Sequence, residues 1–316
     1  MDSERKNEVI HPNDFSGCYV AVITPFKEGD GLSNSVDLNK LDMLIDDLVE
    51  TSVDGLVACG TTGQDSALSH NEQVDLAKYF FDRINGRKSM IVGAGSNSTR
   101  EAVYLSEAIE EKIGPTTFLH ATGYKNNPTQ DGLYKHFTTI ADKLKESNLV
   151  LYTVPGRTGS NIEAQTTIKL SENPSIIGIK DASGNLKQVM DVVNSTDSDN
   201  FKVHSGEDHL VADIIQLGGY GVISASANVA PEYFSKIVKT ALGGKHKESH
   251  EMQDYILPLV KGVFALKNPI PLAHMFDTEM RLPMCKNYDI QERLDDILGG
   301  YRKEELGLDI DKYKRG

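Results

Sequence analysis

Ser175-Ile-Ile-Gly-Ile-Lys-Asp-Ala-Ser-Gly-Asn185 is the stretch from which the rest of the chain is read. Ile176, Ile177, Gly178 and Ile179 form a short apolar, β-branched run, the pattern of a buried strand. Lys180 closes the run, and Asp181, Ser183, Gly184 and Asn185 at once supply turn and cap chemistry. A lysine therefore stands where an apolar strand meets a polar loop. An ammonium there is costly unless it is paired or loses its proton. A lysine desolvated in this way has a lowered pKa and can attack a carbonyl carbon to form a Schiff base. The plainer alternative is a strand-end lysine whose stem packs while its head reaches water. The stretch alone leaves both open.

Outward from this stretch the same alternation repeats. Upstream, apolar runs at 18–24, 55–59, 89–92, 116–120 and 149–153 read as strands. Helical spacing follows them at 37–50, 72–84, 99–111, 132–145 and 164–171, with Thr99 a candidate cap. Downstream, helical patterns at 186–193, 209–216 and 231–241 interleave with strands at 201–204 and 221–224. Eight strand–helix pairs in about 225 residues match the count and size of a closed (β/α)8 TIM barrel. An open doubly wound sheet would usually carry G-x-G-x-x-G after its first strand, and here that strand ends Thr24-Pro25-Phe26. Beyond Gly243 only helical patterns remain, at 246–264, 272–279 and 290–301. The last dozen residues are charged and are expected to trail off as a tail. The expected organisation is a polar leader (1–14), a catalytic barrel (15–242), and a small C-terminal helical segment with a charged tail (243–316).

Composition narrows the function. Of 316 residues, 39% are hydrophobic and 25% charged, ordinary globular values. A net charge of −13 argues against a nucleic-acid footprint. Cys18, Cys59 and Cys285 are widely spaced with no CxxC, which argues against a disulfide framework and a zinc knuckle. No run approaches the ~20 apolar residues of a membrane span. Residues 1–14 lack the apolar core of a signal peptide, so a cytoplasmic location is expected.

In a barrel, active sites lie at the C-terminal ends of the strands. There the second strand presents Gly60-Thr61-Thr62-Gly63, the fifth presents Tyr152-Thr-Val-Pro-Gly-Arg157, and the sixth presents Lys180. Two threonines between glycines expose hydroxyls and backbone N–H groups, a nest for a small carboxylate. Tyr152 can shuttle protons near the lysine. Arg157 offers a planar fork for a second carboxylate. Each alone has a structural explanation: a plain turn, a core tyrosine, a surface ion pair. Their convergence on one mouth points to chemistry.

Gly-Thr-Thr-Gly (60–63), Tyr-x-Val-Pro-x-Arg-Thr-Gly (152–159), Gly-Ile-Lys-Asp-Ala-Ser-Gly-Asn (178–185), Gly206 in Ser-Gly-Glu-Asp and Gly-Val-Ile-Ser (221–224) occur in this order. In these motifs the chain resembles the dihydrodipicolinate synthase / N-acetylneuraminate lyase family, pyruvate-dependent class I aldolases, over residues 15–298. The Arg-Thr-Gly after Tyr-x-Val-Pro resembles the dihydrodipicolinate synthase branch. The resemblance implies a lyase of lysine and diaminopimelate biosynthesis that condenses pyruvate with L-aspartate 4-semialdehyde to 4-hydroxy-tetrahydrodipicolinate. It implies an imine of pyruvate on Lys180, with Tyr152 and Thr61 relaying protons. Thr62 would hold the pyruvate carboxylate and Arg157 that of the semialdehyde, while Ile223 and Gly206 would line the site. It implies no metal and no dissociable cofactor.

Two departures stand out. The branch usually has two adjacent tyrosines before Asn-x-Pro, the second entering the neighbouring subunit's site; here Tyr124 is followed by Lys125. Gln64 stands where the family usually has Glu, removing a charge expected near the mouth. A 2-keto-3-deoxy sugar acid aldolase is the rival enzyme, favoured by Lys125 and opposed by Arg157. A non-catalytic regulatory or assembly barrel is the remote one. The resemblance further implies a homotetramer built as a dimer of dimers. It also implies an L-lysine effector site at the positions Asp65, Ser66, His70, Asn97, Glu101 and Tyr124. The plainer explanation is that Asn97 and Ser98 start a helix and Glu101 favours its first turn.

Overall fold

The computed structural model describes residues 9–314. Its strands are β1 (Gly17–Ala21), β2 (Gly55–Ala58), β3 (Ser89–Gly93), β4 (Thr117–Ala121), β5 (Asn148–Thr153), β6 (Ile176–Asp181), β7 (Lys202–Ser205) and β8 (Gly221–Ser224). All pair in parallel in chain order, and β8 returns to β1, closing the barrel. Almost every strand residue is buried, because side chains face either the barrel interior or the helical coat. That is why the strands read as continuous apolar runs. The closing seam requires glycine: a Cβ at Gly221 would stand 1.9 Å from the Gly17 carbonyl oxygen. Lys180 lies within β6, one residue before its end.

The helices are α1 (Leu38–Glu50), α2 (His70–Ile84), α3 (Thr99–Ile113), α4 (Gln130–Lys143), the single turn α5 (Pro155–Thr158), α6 (Ala164–Leu170), α7 (Leu186–Val193), α8 (Val211–Gln216) and α9 (Pro231–Leu242). The expected (β/α)8 barrel is the observed fold. On α1, Leu41, Leu44, Ile45 and Leu48 form a buried stripe as the helical spacing predicts, but Leu38, of the same spacing, is exposed at the first turn. Ser69 and Glu72 form a reciprocal capping box at the start of α2. The cap of α3 is Ser98, not Thr99: the Ser98 hydroxyl accepts from the Glu101 N–H, and Thr99 is already helical.

Phe15, Tyr19, Val57, Ile91, Leu119, Val150, Ile177 and Ile223 fill the barrel interior. Phe15 stacks on His204 with ring centroids 4.1 Å apart. Burial pushes the His204 pKa down to about 3, so this ring packs uncharged. Of the expected leader, residues 1–8 lie outside the described residues. Ile10 is buried and closes the base: its N–H donates to Thr117 Oγ1 (3.3 Å), and its carbonyl accepts from Asn148 Nδ2 (2.8 Å).

After the barrel come α10 (His246–Val263), α11 (Ile270–Met275), α12 (Gln291–Gly299) and α13 (Lys303–Leu306). α10 packs against α8 and α9. The link at 264–269 reaches the C-terminal mouth of the barrel, where the site lies. The charged tail does not trail off as expected. Leu306, Leu308, Ile310 and Tyr313 are buried. Tyr313 meets Phe276 edge-on at 5.0 Å, and its hydroxyl donates to Asp47. Lys303 bridges Asp309 (2.6 Å) and Asp311 (2.8 Å). The charges partner one another, and the apolar residues between them anchor the segment. Among the described residues, no helix is long and apolar enough to cross a membrane.

Candidate active site

The register of β5 on β6 sets Tyr152 directly beside Lys180. The Lys180 Nζ stands 4.4 Å from the centre of the Tyr152 ring, and Lys180 is 7% exposed. Burial lowers the Lys180 pKa to about 8; nearby Asp208 works against this, and the charge of Arg157 adds to it. The amine therefore reaches its neutral, nucleophilic form far more readily than an exposed lysine does. Burial raises the Tyr152 pKa, keeping the phenol protonated. Gly206, just after β7, makes the room: a Cβ there would lie 2.8 Å from the Ala182 Cβ and 3.1 Å from the Lys180 Cγ. Ile223, buried on β8, completes this side of the wall.

These groups open on a cavity of about 290 Å3. Thr61 and Thr62 reach it from a 3₁₀ turn, Thr61–Gly63, that follows β2 directly. Arg157 reaches it from α5, which Pro155 opens and Gly159 closes in the left-handed conformation. Asn268, from the post-barrel link, ties the two together. Its side-chain N–H donates to the Thr62 hydroxyl (2.9 Å), and its backbone carbonyl accepts from Arg157 Nη2 (3.1 Å). The guanidinium is held at the rim by a segment far away in sequence.

The structure divides the remaining predicted residues. Tyr124, Asp65 and Ser66 line this same cavity. Lys125 is exposed and stands outside its wall, with a left-handed backbone at φ 72°. His70, Asn97 and Glu101 lie on the adjoining surface: His70 Nδ1 is 3.8 Å from Glu101 Oε2, and Asn97 Nδ2 donates to the Tyr124 carbonyl (3.4 Å). Gln64 is not at the mouth, contrary to expectation. It is buried, and its Oε1 accepts from the Arg281 backbone N–H (3.3 Å). The Arg281 guanidinium pairs with Glu72 instead (2.6 Å).

Residues 14–286 match the dihydrodipicolinate synthetase family. The chain belongs to that family. A 4-hydroxy-tetrahydrodipicolinate synthase of Methanocaldococcus jannaschii is 39% identical over 302 residues, 93% of this chain and 99% of that one. The dihydrodipicolinate synthase of Acinetobacter baumannii, solved with pyruvate, superposes with a TM-score of 0.84 at 34% identity, covering 93% of this chain and 99% of the other. The enzyme from Cyanidioschyzon merolae, solved with lysine bound, gives 0.84 at 30% identity, covering 90% and 98%.

Among the residues on this wall that the sequence did not single out are Asn268, Phe264 and Glu207. Asn268 follows no local pattern, because it acts 206 residues away from Thr62. Phe264, beside it on the link, lines the cavity. Glu207 lines it next to Gly206, with its pKa raised by burial. The Ser-Gly-Glu-Asp run after a strand carried a signal for that last residue, since acids at a barrel's C-terminal face are seldom there for packing.

Proposed function

We infer that this chain is a lyase that condenses pyruvate with L-aspartate 4-semialdehyde to 4-hydroxy-tetrahydrodipicolinate, in lysine and diaminopimelate biosynthesis. The observation that carries this is a desolvated lysine beside a buried tyrosine, with an arginine fork at the rim of the same cavity. Neutral Lys180 attacks the pyruvate carbonyl and expels water, forming the imine. The imine draws electrons from the methyl carbon, which loses a proton. The resulting enamine attacks the aldehyde carbon, and the new alkoxide takes up a proton. The substrate's own amine then attacks the imine carbon and displaces Lys180. Tyr152 and Thr61 carry these protons, Thr62 and the backbone around it hold the pyruvate carboxylate, and Arg157 holds that of the aldehyde. Gly206 and Ile223 shape the pocket around the imine. No metal or dissociable cofactor enters the scheme. A coupled assay should give turnover with aspartate semialdehyde and no cleavage of 2-keto-3-deoxy sugar acids; the reverse would refute the assignment.

An L-lysine effector would be held by Ser66, His70, Asn97, Glu101 and Tyr124, which supply an acid, an amide and an aromatic ring; Ser66 and Tyr124, like Asp65, also line the cavity. L-lysine should inhibit at millimolar concentration without displacing pyruvate, and Glu101→Ala should remove the inhibition. Full activity in about 10 mM lysine, tenfold above a weak effector's Kd of ~1 mM, would end the idea. The assembly is a homotetramer, a dimer of dimers, supported by family resemblance and the exposed Tyr124–Lys125 loop. Light scattering should give four times 34.7 kDa, and a monomer at micromolar concentration would contradict it. Sparse, unpaired cysteines support a cytoplasmic location.

A further inference from the structure

The second substrate assigned above carries a carboxylate and an ammonium on one carbon. Arg157 answers the carboxylate, and none of the roles assigned so far answers the ammonium.

Asp65 stands on the wall that holds Lys180, Tyr152 and Arg157. It opens a second 3₁₀ turn, Asp65–Ala67, separated from Thr61–Gly63 only by Gln64, whose backbone is left-handed at φ 55°. Its backbone is anchored on both sides. The Asp65 N–H donates to the Gly60 carbonyl (3.4 Å), and its carbonyl accepts from Gln73 Nε2 (3.2 Å). Its carboxyl feels the charge of Arg157, yet no ion pair joins the two among the described residues. Among the described residues no Lys, Arg or His nitrogen pairs with the Asp65 carboxylate; burial pushes its pKa up to about 6, against the Ser66 N–H and the Arg157 charge. An ammonium delivered to this wall would supply a partner. The two charges reach the same cavity from different strands, Asp65 after β2 and Arg157 after β5, and between them they complement a zwitterion.

We propose that Asp65 holds the ammonium of the incoming amino aldehyde, so that Arg157 and Asp65 together select an α-amino acid over its desamino analogue. This rests on aspartate semialdehyde being the second substrate.

The test compares aspartate semialdehyde with succinic semialdehyde, the same aldehyde acid without the amine. For the first the readout is kcat/KM; for the second it is the inhibition constant against the first, which needs no turnover. Asp65→Asn should lower kcat/KM for aspartate semialdehyde roughly 10- to 100-fold, as expected for losing a hydrogen-bonded charge pair. It should leave the succinic semialdehyde inhibition constant unchanged or tightened. If Asp65→Asn does not fold, Asp65→Ser serves for the same pair of measurements. Equal losses on both aldehydes, or no loss on either, would overturn the proposal while leaving the enzyme assignment standing. Failure of the wild-type chain to consume aspartate semialdehyde would overturn both.

Discussion

Lys180→Met should abolish turnover and leave the barrel folded. Removing a covalent nucleophile lowers kcat/KM on the order of 10⁴-fold or more, about 5.5 kcal/mol of transition-state stabilisation. Methionine fills nearly the same buried volume without the desolvation penalty of an amine, so thermal stability should be unchanged or raised. Pyruvate should no longer be trapped. The pH dependence of the wild-type protein follows from the same burial. The folded amine titrates near 8 instead of 10.5, so at pH 7 its neutral fraction is roughly 300-fold larger than that of an exposed lysine. Only the neutral amine attacks. Imine formation should therefore fall as pH drops below about 8 and level off above it. Retained turnover in Lys180→Met would refute the nucleophile. A rate still rising tenfold per unit at pH 9 would show an unperturbed amine.

Arg157→Ala should spare pyruvate and penalise the aldehyde. A charge-assisted bidentate contact contributes roughly 2–4 kcal/mol, a fall of about 30- to 1000-fold in kcat/KM for aspartate semialdehyde. The effect should lie toward the lower figure, because Arg157 is exposed at the rim and water screens it. The pyruvate imine should still form, since Thr62 keeps its bond from Asn268. Arg157→Lys should rescue little, because an ammonium cannot reproduce the planar fork. Unchanged aldehyde kinetics in Arg157→Ala would remove the residue from the substrate and leave it with its contact to the Asn268 carbonyl alone.

The barrel was legible because its strands are buried on both faces. Each reads as an apolar run, and each ends in the turn chemistry that marks a strand end, as at Ile179-Lys180-Asp181. The site was legible to the same depth. Lys180, Tyr152, Thr61, Thr62 and Arg157 all sit within a few residues of a strand's C-terminus, where the fold forces convergence. What stayed hidden depends on contacts between distant segments. Asn268 lies beyond the barrel and meets Thr62 only through the path of α10. The family resemblance put Asp65 on a regulatory surface with Ser66 and His70; in the fold a single left-handed residue, Gln64, separates it from the catalytic turn, and it lines the cavity. The C-terminal segment read as a solvated tail because part of what holds it, such as Asp47 for Lys312 and for the Tyr313 hydroxyl, lies more than two hundred residues away.

The central claim is that Lys180 carries the pyruvate. It is tested most directly by reducing the protein with borohydride in the presence of pyruvate and mapping the modified peptide. The expected result is one reduced adduct per chain, on the peptide containing Ile179-Lys180-Asp181, and none without pyruvate. An adduct on another lysine, or no gain of mass at all, would contradict it.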